Sequence, residues 1–174
     1  GNKLATIATE VEKMKTQILV EGLDCSGKTT LVERLKNELR WDAKALHHRE
    51  GNQFKRYLRE YALQEQIIFN RGHFSEIVYS RLWRGGNPFL TKEQEILHEI
   101  CTQNMVVIFA NPLLETVQER YKKRTFPQQI KYEELGIVQK YFCEVMGKSP
   151  HHRYQSTSYE ELQSLLEKVI REVQ

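Results

Sequence analysis

The chain has 174 residues, 40% of them hydrophobic, with 26 Lys and Arg against 23 Asp and Glu and a formal net charge of +3. This length is typical of one domain with its own core, and so small a basic excess does not by itself indicate binding to nucleic acid. Cys25, Cys101 and Cys143 are far apart and form no C-x-x-C pair, which favours reduced thiols in a cytoplasmic protein over a disulfide framework or a zinc site. No apolar run reaches membrane-spanning length and no secretion signal is visible, so we expect neither a membrane nor a nucleic-acid partner.

The first residues of the chain are mostly polar and show only a loose helical pattern. Because Met14-Lys15-Thr16 is typical of a natural translation start, we expect residues 1–16 to be an N-terminal extension or a cloning remnant. We expect the remaining residues, 17–174, to form a single domain.

A phosphate-binding loop follows, in the segment QILVEGLDCSGKTT that runs from Gln17 to Thr30. A short apolar strand leads into the full G-x-x-x-x-G-K-[ST] spacing, and a helix follows it. In such a loop the glycines let backbone N–H groups surround a phosphate, Lys28 reaches the terminal phosphates, and the Thr29 hydroxyl binds Mg²⁺. The predicted phosphate-binding residues are Gly22, Cys25, Ser26, Gly27, Lys28, Thr29 and Thr30.

Hydrophobic periodicity predicts alternating strands and helices along the rest of the chain. The predicted strands cover 18–20, 43–48, 66–69, 105–110 and 152–155. The predicted helices cover 28–39, about 54–61, 74–83, a segment capped by Thr91, a segment that starts at 111–112, 132–146 and a last segment capped by Ser158. This alternation is typical of an α/β protein whose parallel sheet is covered on both faces.

Polar residues gather where these strands end, which is the edge at which open α/β sheets bind ligands. They are Asp24 in the loop, Arg49 after the second strand, Asn70 and Arg71 after the third, and Arg120, Lys122, Lys123 and Arg124 on the helix after the fourth. Phosphoryl transfer depends on positioning and on neutralising charge, and several cations around one anionic site would supply both.

Each of these residues also has a purely structural interpretation. Arg120 and Arg124 lie on one helix face and could be a solvated basic face, although a basic helix followed by a loop is also typical of a closing lid. Arg71 could form a structural ion pair, and Arg49 is equally open to either interpretation. Phe74 is helix-spaced and could be a core residue or could touch a base. The two pairs of adjacent histidines are poor candidates for a metal site, because neighbouring residues on a strand point to opposite faces.

The chain resembles the thymidylate kinase branch of the P-loop nucleoside and nucleotide kinases, from about Gln17 to its C-terminus. VEGLDCSGKTT is similar to the family's F-E-G-x-D-x-x-G-K-[ST]-T, NRGHFS at 70–75 is similar to its D-R-[YH] segment, and ERYKKR at 119–124 is similar to its lid. The resemblance implies a three-layer α/β/α P-loop kinase fold, with a five-stranded parallel sheet in the order 2-3-1-4-5 and a helical lid at about 120–131. It also allows a homodimer.

The resemblance further implies roles for individual residues. Asp24 would engage the sugar 3′-hydroxyl of a bound monophosphate, Arg71 and Arg49 would face its phosphate, and Phe74 would complete the acceptor site. Residues around Thr157 would border the adenine. The implied reaction uses ATP as the phosphoryl donor and Mg²⁺ as the cofactor.

The chain departs from the family pattern at several positions. Asn70 replaces an aspartate that helps to organise Mg²⁺, so Asn70 would act on the metal through water. Cys25 stands where one subclass carries a catalytic arginine, so the catalytic cations are expected to be Lys28, Arg120 and Arg124. The proline of the second-strand motif is missing, and no thymine-stacking segment is recognisable between Phe54 and Gln66. We also expect Cys25 to be reactive, because a helix N-terminus lowers the pKa of a thiol.

The expected function is therefore ATP-dependent phosphorylation of a deoxynucleoside monophosphate, with dTMP as the first choice. One alternative is a kinase of nucleosides or other small hydroxyl acceptors. The others are a nucleotide-binding switch and a degenerate kinase with little turnover. A GTPase is disfavoured, because no D-x-x-G follows the second strand and no N-K-x-D follows the fourth.

Overall fold

The computed structural model describes residues 14–63, 65–125 and 127–173. The extension expected at the N-terminus therefore lies outside the described residues, apart from residues 14–16. The strands are β1 (Gln17–Glu21), β2 (Asp42–Ala45), β3 (Ile67–Asn70), β4 (Met105–Ala110) and β5 (His152–Tyr154). The helices are α1 (Lys28–Leu39), α2 (Gln53–Leu63), α3 (His73–Trp83), α4 (Thr91–Asn104), α5 (Leu114–Lys123), α6 (Leu135–Met146) and α7 (Tyr159–Val173), with a 3₁₀ turn at Tyr132–Glu134 before α6.

The five strands form one parallel sheet in the order β2-β3-β1-β4-β5, as the resemblance implies. The central strand β1 pairs with β3 on one side and β4 on the other. β1 and β4 are buried along their whole length, which explains why both are continuously apolar or nearly so. Because all five strands run in one direction, their carboxyl ends lie at the same edge.

Helices cover both faces of the sheet, and the pleat of β1 shows how the sequence builds the two layers. Ile18 and Val20 point to one face, where they pack with Leu31 of α1 and Val169 of α7. Leu19 points to the opposite face, where the larger core cluster is formed by α2, α3, α4 and α6 together with α5. The result is a three-layer α/β/α arrangement.

Several predicted boundaries shift by one to three residues, and two of these shifts have a clear physical reason. β2 ends at Ala45 rather than His48, since the backbone N–H of Leu46 makes the last bond to β3, at the carbonyl of Asn70. Helix α5 begins at Leu114 rather than at Asn111–Pro112, because the Asn111 N–H is bonded to the carbonyl of Tyr154 on β5.

The two predicted helix caps have different outcomes. Ser158 caps α7 as expected, and its hydroxyl accepts a hydrogen bond from the Glu161 N–H at 3.1 Å. Thr91 is not a cap, because it is already the first residue of α4. The preceding residue, Leu90, takes that position, and its N–H donates to the Glu93 carboxylate at 2.9 Å.

Within the described ranges, no helix combines the length and the apolar character needed to cross a membrane.

Candidate functional site

The loop between β1 and α1 lies at the carboxyl edge of the sheet and has the backbone that its glycines predict. A Cβ at Gly22, where φ is +141°, would overlap the carbonyl oxygen of Ala110. Gly27, where φ is +87°, lies against Ser156 in the same way. Lys28 begins α1 and is buried, whereas Thr29 and Thr30 are exposed. Backbone N–H groups at a helix start attract anions, so the loop can hold phosphate groups.

A cavity of about 440 Å³ opens above this loop. It is lined by Asp24, Cys25, Gly27, Lys28, Thr29, Thr30, Arg120, Arg124 and Ser156. The structure thus brings together most of the predicted phosphate-binding residues and both predicted lid arginines. Of the other two predicted loop residues, Gly22 shapes the backbone, and Ser26 is fully buried with a hydroxyl that has no partner among the described residues.

Buried charges lie behind the loop. Burial, reinforced by the nearby Arg71, lowers the pKa of Lys28 to about 8, although Glu21 and Asp24 oppose the shift. Burial also raises the pKa of Glu21, whose carboxylate accepts hydrogen bonds from the N–H and the hydroxyl of Ser75 at 3.0 and 2.5 Å. Glu21 therefore positions the start of α3 and lies within electrostatic range of Lys28.

Arg71 follows β3 and occupies a left-handed backbone conformation, with φ of 77°. Its N–H donates to the Val20 carbonyl at 3.1 Å, and its guanidinium lies 4.8 Å from the centre of the Tyr79 ring. Its Nε atom is buried and makes no hydrogen bond within the described residues. Arg71 also lowers the pKa of Lys28, so the two cations lie within electrostatic range of each other.

Arg120 links the predicted lid to two other loops. Its Nη1 donates to the Cys25 carbonyl at 3.1 Å, and its Nη2 donates to the carbonyl and hydroxyl of Ser156 at 2.9 and 3.1 Å. Thr157, for which the resemblance implies a place beside the adenine, donates its N–H to the Glu161 carboxylate at 2.9 Å. Ser156 is therefore the residue of this loop that reaches the phosphate-binding loop.

Of the predicted acceptor residues, Phe74 is not brought to the site, whereas the role of Arg49 stays a prediction. Phe74 is fully buried and stacks on His98, with ring centres 4.7 Å apart and planes 10° apart. It has no exposed surface to offer a base. Arg49 is exposed in the loop after β2 and does not line the cavity above the phosphate-binding loop.

Sequence reasoning missed His47, which lies near the charges of the site. Burial lowers the pKa of His47, and Arg71 and Lys28 lower it further while Asp24 opposes them. The prediction placed His47 inside a strand, whereas β2 ends at Ala45 and leaves His47 in the loop at the carboxyl edge. A prediction that ended the second strand at Ala45 would have placed His47 in this loop.

The predicted reactivity of Cys25 is wrong. The Cys25 side chain is 4% exposed, and burial raises the pKa of its thiol even though Arg124 and Arg120 act in the opposite direction. The helix N-terminus does not offset the loss of solvent. The thiolate that alkylation requires is disfavoured.

Comparison with solved structures assigns the chain the fold of the P-loop kinases. The YorR protein of Bacillus subtilis, solved in complex with phosphorylated GDP, matches with a TM-score of 0.75 at 18% identity, over 90% of this chain and 94% of that one. Deoxyadenosine kinase from M. mycoides with dCMP and dCDP gives 0.58 at 16% identity, over 89% and 99%. Thymidylate kinase from Candida albicans gives 0.57 at 15% identity, over 91% and 92%. No protein-family profile matches the sequence, and no curated protein matches it significantly.

This fold implies a magnesium ion, and the residues present fit one. The hydroxyl-bearing Thr29 is exposed at the cavity, and the Asn70 Oδ1 is buried with no hydrogen-bond partner among the described residues. Both are oxygen donors, the type that Mg²⁺ prefers, and Mg²⁺ commonly takes its other ligands from water and substrate phosphates. In the described part of the chain, no cluster of three or more His, Cys, Asp and Glu residues offers an alternative metal site.

Proposed function

We propose that this protein is a kinase that transfers the γ-phosphoryl group of ATP to the phosphate of a deoxynucleoside monophosphate, with dTMP as the first choice. The observation that carries the proposal is the distribution of cations around Lys28. Arg120 and Arg124 line the cavity above the phosphate-binding loop, and Arg71 acts on Lys28 from outside that cavity. Arg120 and Arg124 would bind the phosphates of the donor, and Arg71 would bind the phosphate of the acceptor.

In this mechanism an acceptor phosphate oxygen attacks the γ-phosphorus in line, and ADP leaves. Backbone N–H groups of the loop and Lys28 hold the donor phosphates, and Arg120 and Arg124 stabilise the charge that develops in the transition state. Mg²⁺, held by Thr29 and through water by Asn70, would neutralise charge on the phosphates. Arg71 would hold the acceptor phosphate and Asp24 the sugar 3′-hydroxyl, so that the two reactants meet in a fixed geometry.

The names of the structural neighbours support this choice of class. They include a thymidylate kinase and a deoxyadenosine kinase. The match to this chain covers nearly the whole length of each of them. A shikimate kinase from Bacteroides thetaiotaomicron also shares the fold, with a TM-score of 0.51 at 16% identity. The acceptor therefore has to be argued from the residues of this chain.

A coupled assay for ADP release, run with ATP and a panel of deoxynucleoside monophosphates, tests the proposal. Lys28→Met should reduce turnover by at least about 10³-fold, because the lysine charge acts on the transferred phosphoryl group. Lys36→Met, in the last turn of the same helix and outside the cavity, should keep normal activity. Activity of Lys28→Met equal to that of the wild type, or no acceptor-dependent turnover by the wild type, contradicts the proposal.

A second candidate is a kinase that phosphorylates a hydroxyl group of a nucleoside or another small molecule. His47 favours it, because it lies in the loop at the carboxyl edge of the sheet and its pKa is lowered by burial, by Arg71 and by Lys28, and a neutral imidazole can accept the proton of a hydroxyl acceptor. Nucleosides in the same panel separate the two reactions. Turnover with nucleosides alone, abolished by His47→Ala, would establish the second candidate.

A further inference from the structure

A second cavity, of about 450 Å³, lies between the loop after β2 and the C-terminal end of α3. It is lined by His48, Glu50, Gly51, Gln53, Ser80, Arg84, Gly85, Gly86, Asn87 and Pro88. None of these residues lines the cavity above the phosphate-binding loop. The proposed mechanism assigns no role to any of them.

This second cavity adjoins the acceptor side of the site. His48 in its wall is the neighbour of His47, which lies within electrostatic range of Arg71 and Lys28. Ser80, which also lines the cavity, follows Tyr79 in α3, and the Tyr79 ring centre lies 4.8 Å from the Arg71 guanidinium. The second cavity therefore lies next to the side chain that Arg71 contacts. A monophosphate held at Arg71 can therefore place its base here.

Behind the lining of the second cavity lies the buried carboxylate of Glu76, whose side chain is 1% exposed and which does not itself line the cavity. Its hydrogen-bond partners are His48 Nδ1 at 2.8 Å, Arg84 Nη2 at 2.7 Å, the Ser80 hydroxyl at 3.2 Å and the Tyr57 hydroxyl at 3.3 Å, with Arg56 Nη1 at 3.8 Å. These partners already satisfy the carboxylate. Glu76 therefore holds Arg84 and His48 in place and is not itself available to a ligand.

Two lining residues have a buried polar atom without a hydrogen-bond partner among the described residues: Nε2 of His48, which lies 3.6 Å from the Glu50 carboxylate, and Oε1 of Gln53. Gln53 is 7% exposed. Its Nε2 donates to the carbonyl of Arg49 and to that of Gly51, the latter at 3.2 Å. Both amide hydrogens are used, so the amide cannot flip, and Oε1 is left buried without a hydrogen-bond partner among the described residues. A buried acceptor without a partner is costly, and a ligand N–H would relieve that cost.

We infer that the second cavity holds the base of the acceptor, and that Oε1 of Gln53 accepts a hydrogen bond from the ring N–H of an oxo base, in which that N–H lies beside a carbonyl group. Thymine and guanine are such bases. The inference rests on the proposed function, since it needs a monophosphate whose phosphate lies at Arg71.

Arg84 explains why an oxo base fits better than an amino base. Its guanidinium can only donate hydrogen bonds, and it lines the same cavity as Gln53. A base carbonyl next to the ring N–H gives this cation an acceptor with partial negative charge. The exocyclic amino group of cytosine or adenine would bring its remaining N–H towards a cation that cannot accept it, and such mismatches in buried sites reduce specificity constants strongly.

Steady-state kinetics with methylated acceptors test the pairing directly. The acceptors are dTMP and dGMP, each compared with the analogue methylated at the ring nitrogen, N3 of thymine or N1 of guanine. For the wild type, methylation should raise the KM of the preferred acceptor at least about tenfold. In Gln53→Leu, the KM of the parent acceptor should rise similarly, and methylation should have little further effect, because the partner of the N–H is already missing.

The KM for ATP should stay within about twofold in Gln53→Leu. Gln139→Leu, which replaces a partly buried glutamine of α6 that lines neither this cavity nor the one above the phosphate-binding loop, should leave the effect of methylation unchanged. Arg84→Met gives a second variant, and it should raise the KM of the oxo acceptor at least about tenfold without changing that of ATP.

The inference is overturned if methylation and Gln53→Leu act additively, if the wild type does not discriminate against the methylated acceptor, or if dCMP or dAMP has the highest kcat/KM. These outcomes all require acceptor-dependent turnover by the wild type. Absence of turnover with every monophosphate would instead reject the proposed function, so the two failures are distinguishable.

Discussion

Arg120 is hydrogen-bonded to Ser156: its Nη2 donates to both the carbonyl and the hydroxyl of that residue, at 2.9 and 3.1 Å. The same guanidinium donates through Nη1 to the Cys25 carbonyl at 3.1 Å. One side chain thus joins α5, the loop after β5 and the phosphate-binding loop. It also lies at the cavity where the donor phosphates would bind.

Arg120→Ala should therefore lower kcat by about 10²- to 10³-fold, because an arginine that stabilises transition-state charge contributes at least that much. Lys123→Ala is the matched control, as it removes an exposed cation from the last turn of the same helix. Initial-rate assays with saturating ATP and acceptor measure the loss of kcat. A normal kcat in Arg120→Ala would show that its hydrogen bonds serve only to hold the loops.

The low pKa of Lys28 predicts a pH limit for donor binding. Burial and the nearby Arg71 lower this pKa to about 8, so the free enzyme loses the lysine charge as the pH rises above 8. Since ATP phosphates are fully ionised there, kcat/KM for ATP should fall about tenfold for each further pH unit. Bound phosphates favour the charged lysine, so the fall in kcat should come at a higher pH. A kcat/KM that stays flat up to pH 9.5 contradicts this prediction.

The fold could be predicted from local sequence because its signals agree with one another. The apolar run Met105–Ala110 coincides with β4, and the leucines after the glycine-rich loop gave the bounds of α1. β2 was less clear, since its sequence DAKA is only partly buried at the edge of the sheet. An edge strand has one neighbour, and the hydrogen bonds to that neighbour, which no sequence pattern encodes, decide where it ends.

Of the candidate site, the sequence predicted the residues that a local motif fixes. Gly27, Lys28 and Thr29 lie together because they are neighbours in the chain. The contact of Arg120 with Ser156 joins residues 36 positions apart, and the burial of Phe74 depends on packing against His98 of a different helix. Such long-range placement follows from how the helices pack on the sheet.

Asn70 offers a test of the proposed magnesium site. Its Oδ1 is buried without a partner in the described part of the chain, and Asn70→Asp would place a carboxylate there. A charged oxygen binds Mg²⁺, or its coordinated water, more strongly than an amide oxygen does. We expect the Mg²⁺ concentration for half-maximal activity to fall about threefold or more at fixed ATP. An unchanged or higher requirement would place the metal elsewhere.

The three cysteines should differ sharply in their reaction with iodoacetamide. Cys143 is exposed, whereas Cys25 and Cys101 are buried, and burial raises the pKa of both buried thiols. Peptide mass mapping at pH 7.5 should find Cys143 modified first, at least about tenfold faster than either buried cysteine. In Cys143→Ser, early modification should be almost lost. Rapid labelling of Cys25 in the absence of nucleotide would contradict the burial seen here.

The close approach of Gly27 to Ser156 predicts a loss of ATP binding that a second substitution should partly restore. A Cβ at Gly27 would overlap the Ser156 hydroxyl, and φ there is +87°. Gly27→Ala should therefore strain the left-handed backbone by about 1–2 kcal/mol. It should also displace the loop that contains Ser156, which is hydrogen-bonded to Arg120. Gly85→Ala is the matched control, because φ is +84° and nothing lies within 4 Å of the added Cβ.

By isothermal titration, Gly27→Ala should weaken ATP binding at least about tenfold, and adding Ser156→Gly should recover part of that loss. If Gly27→Ala weakens ATP binding no more than Gly85→Ala does, contact between the two loops does not shape the phosphate site.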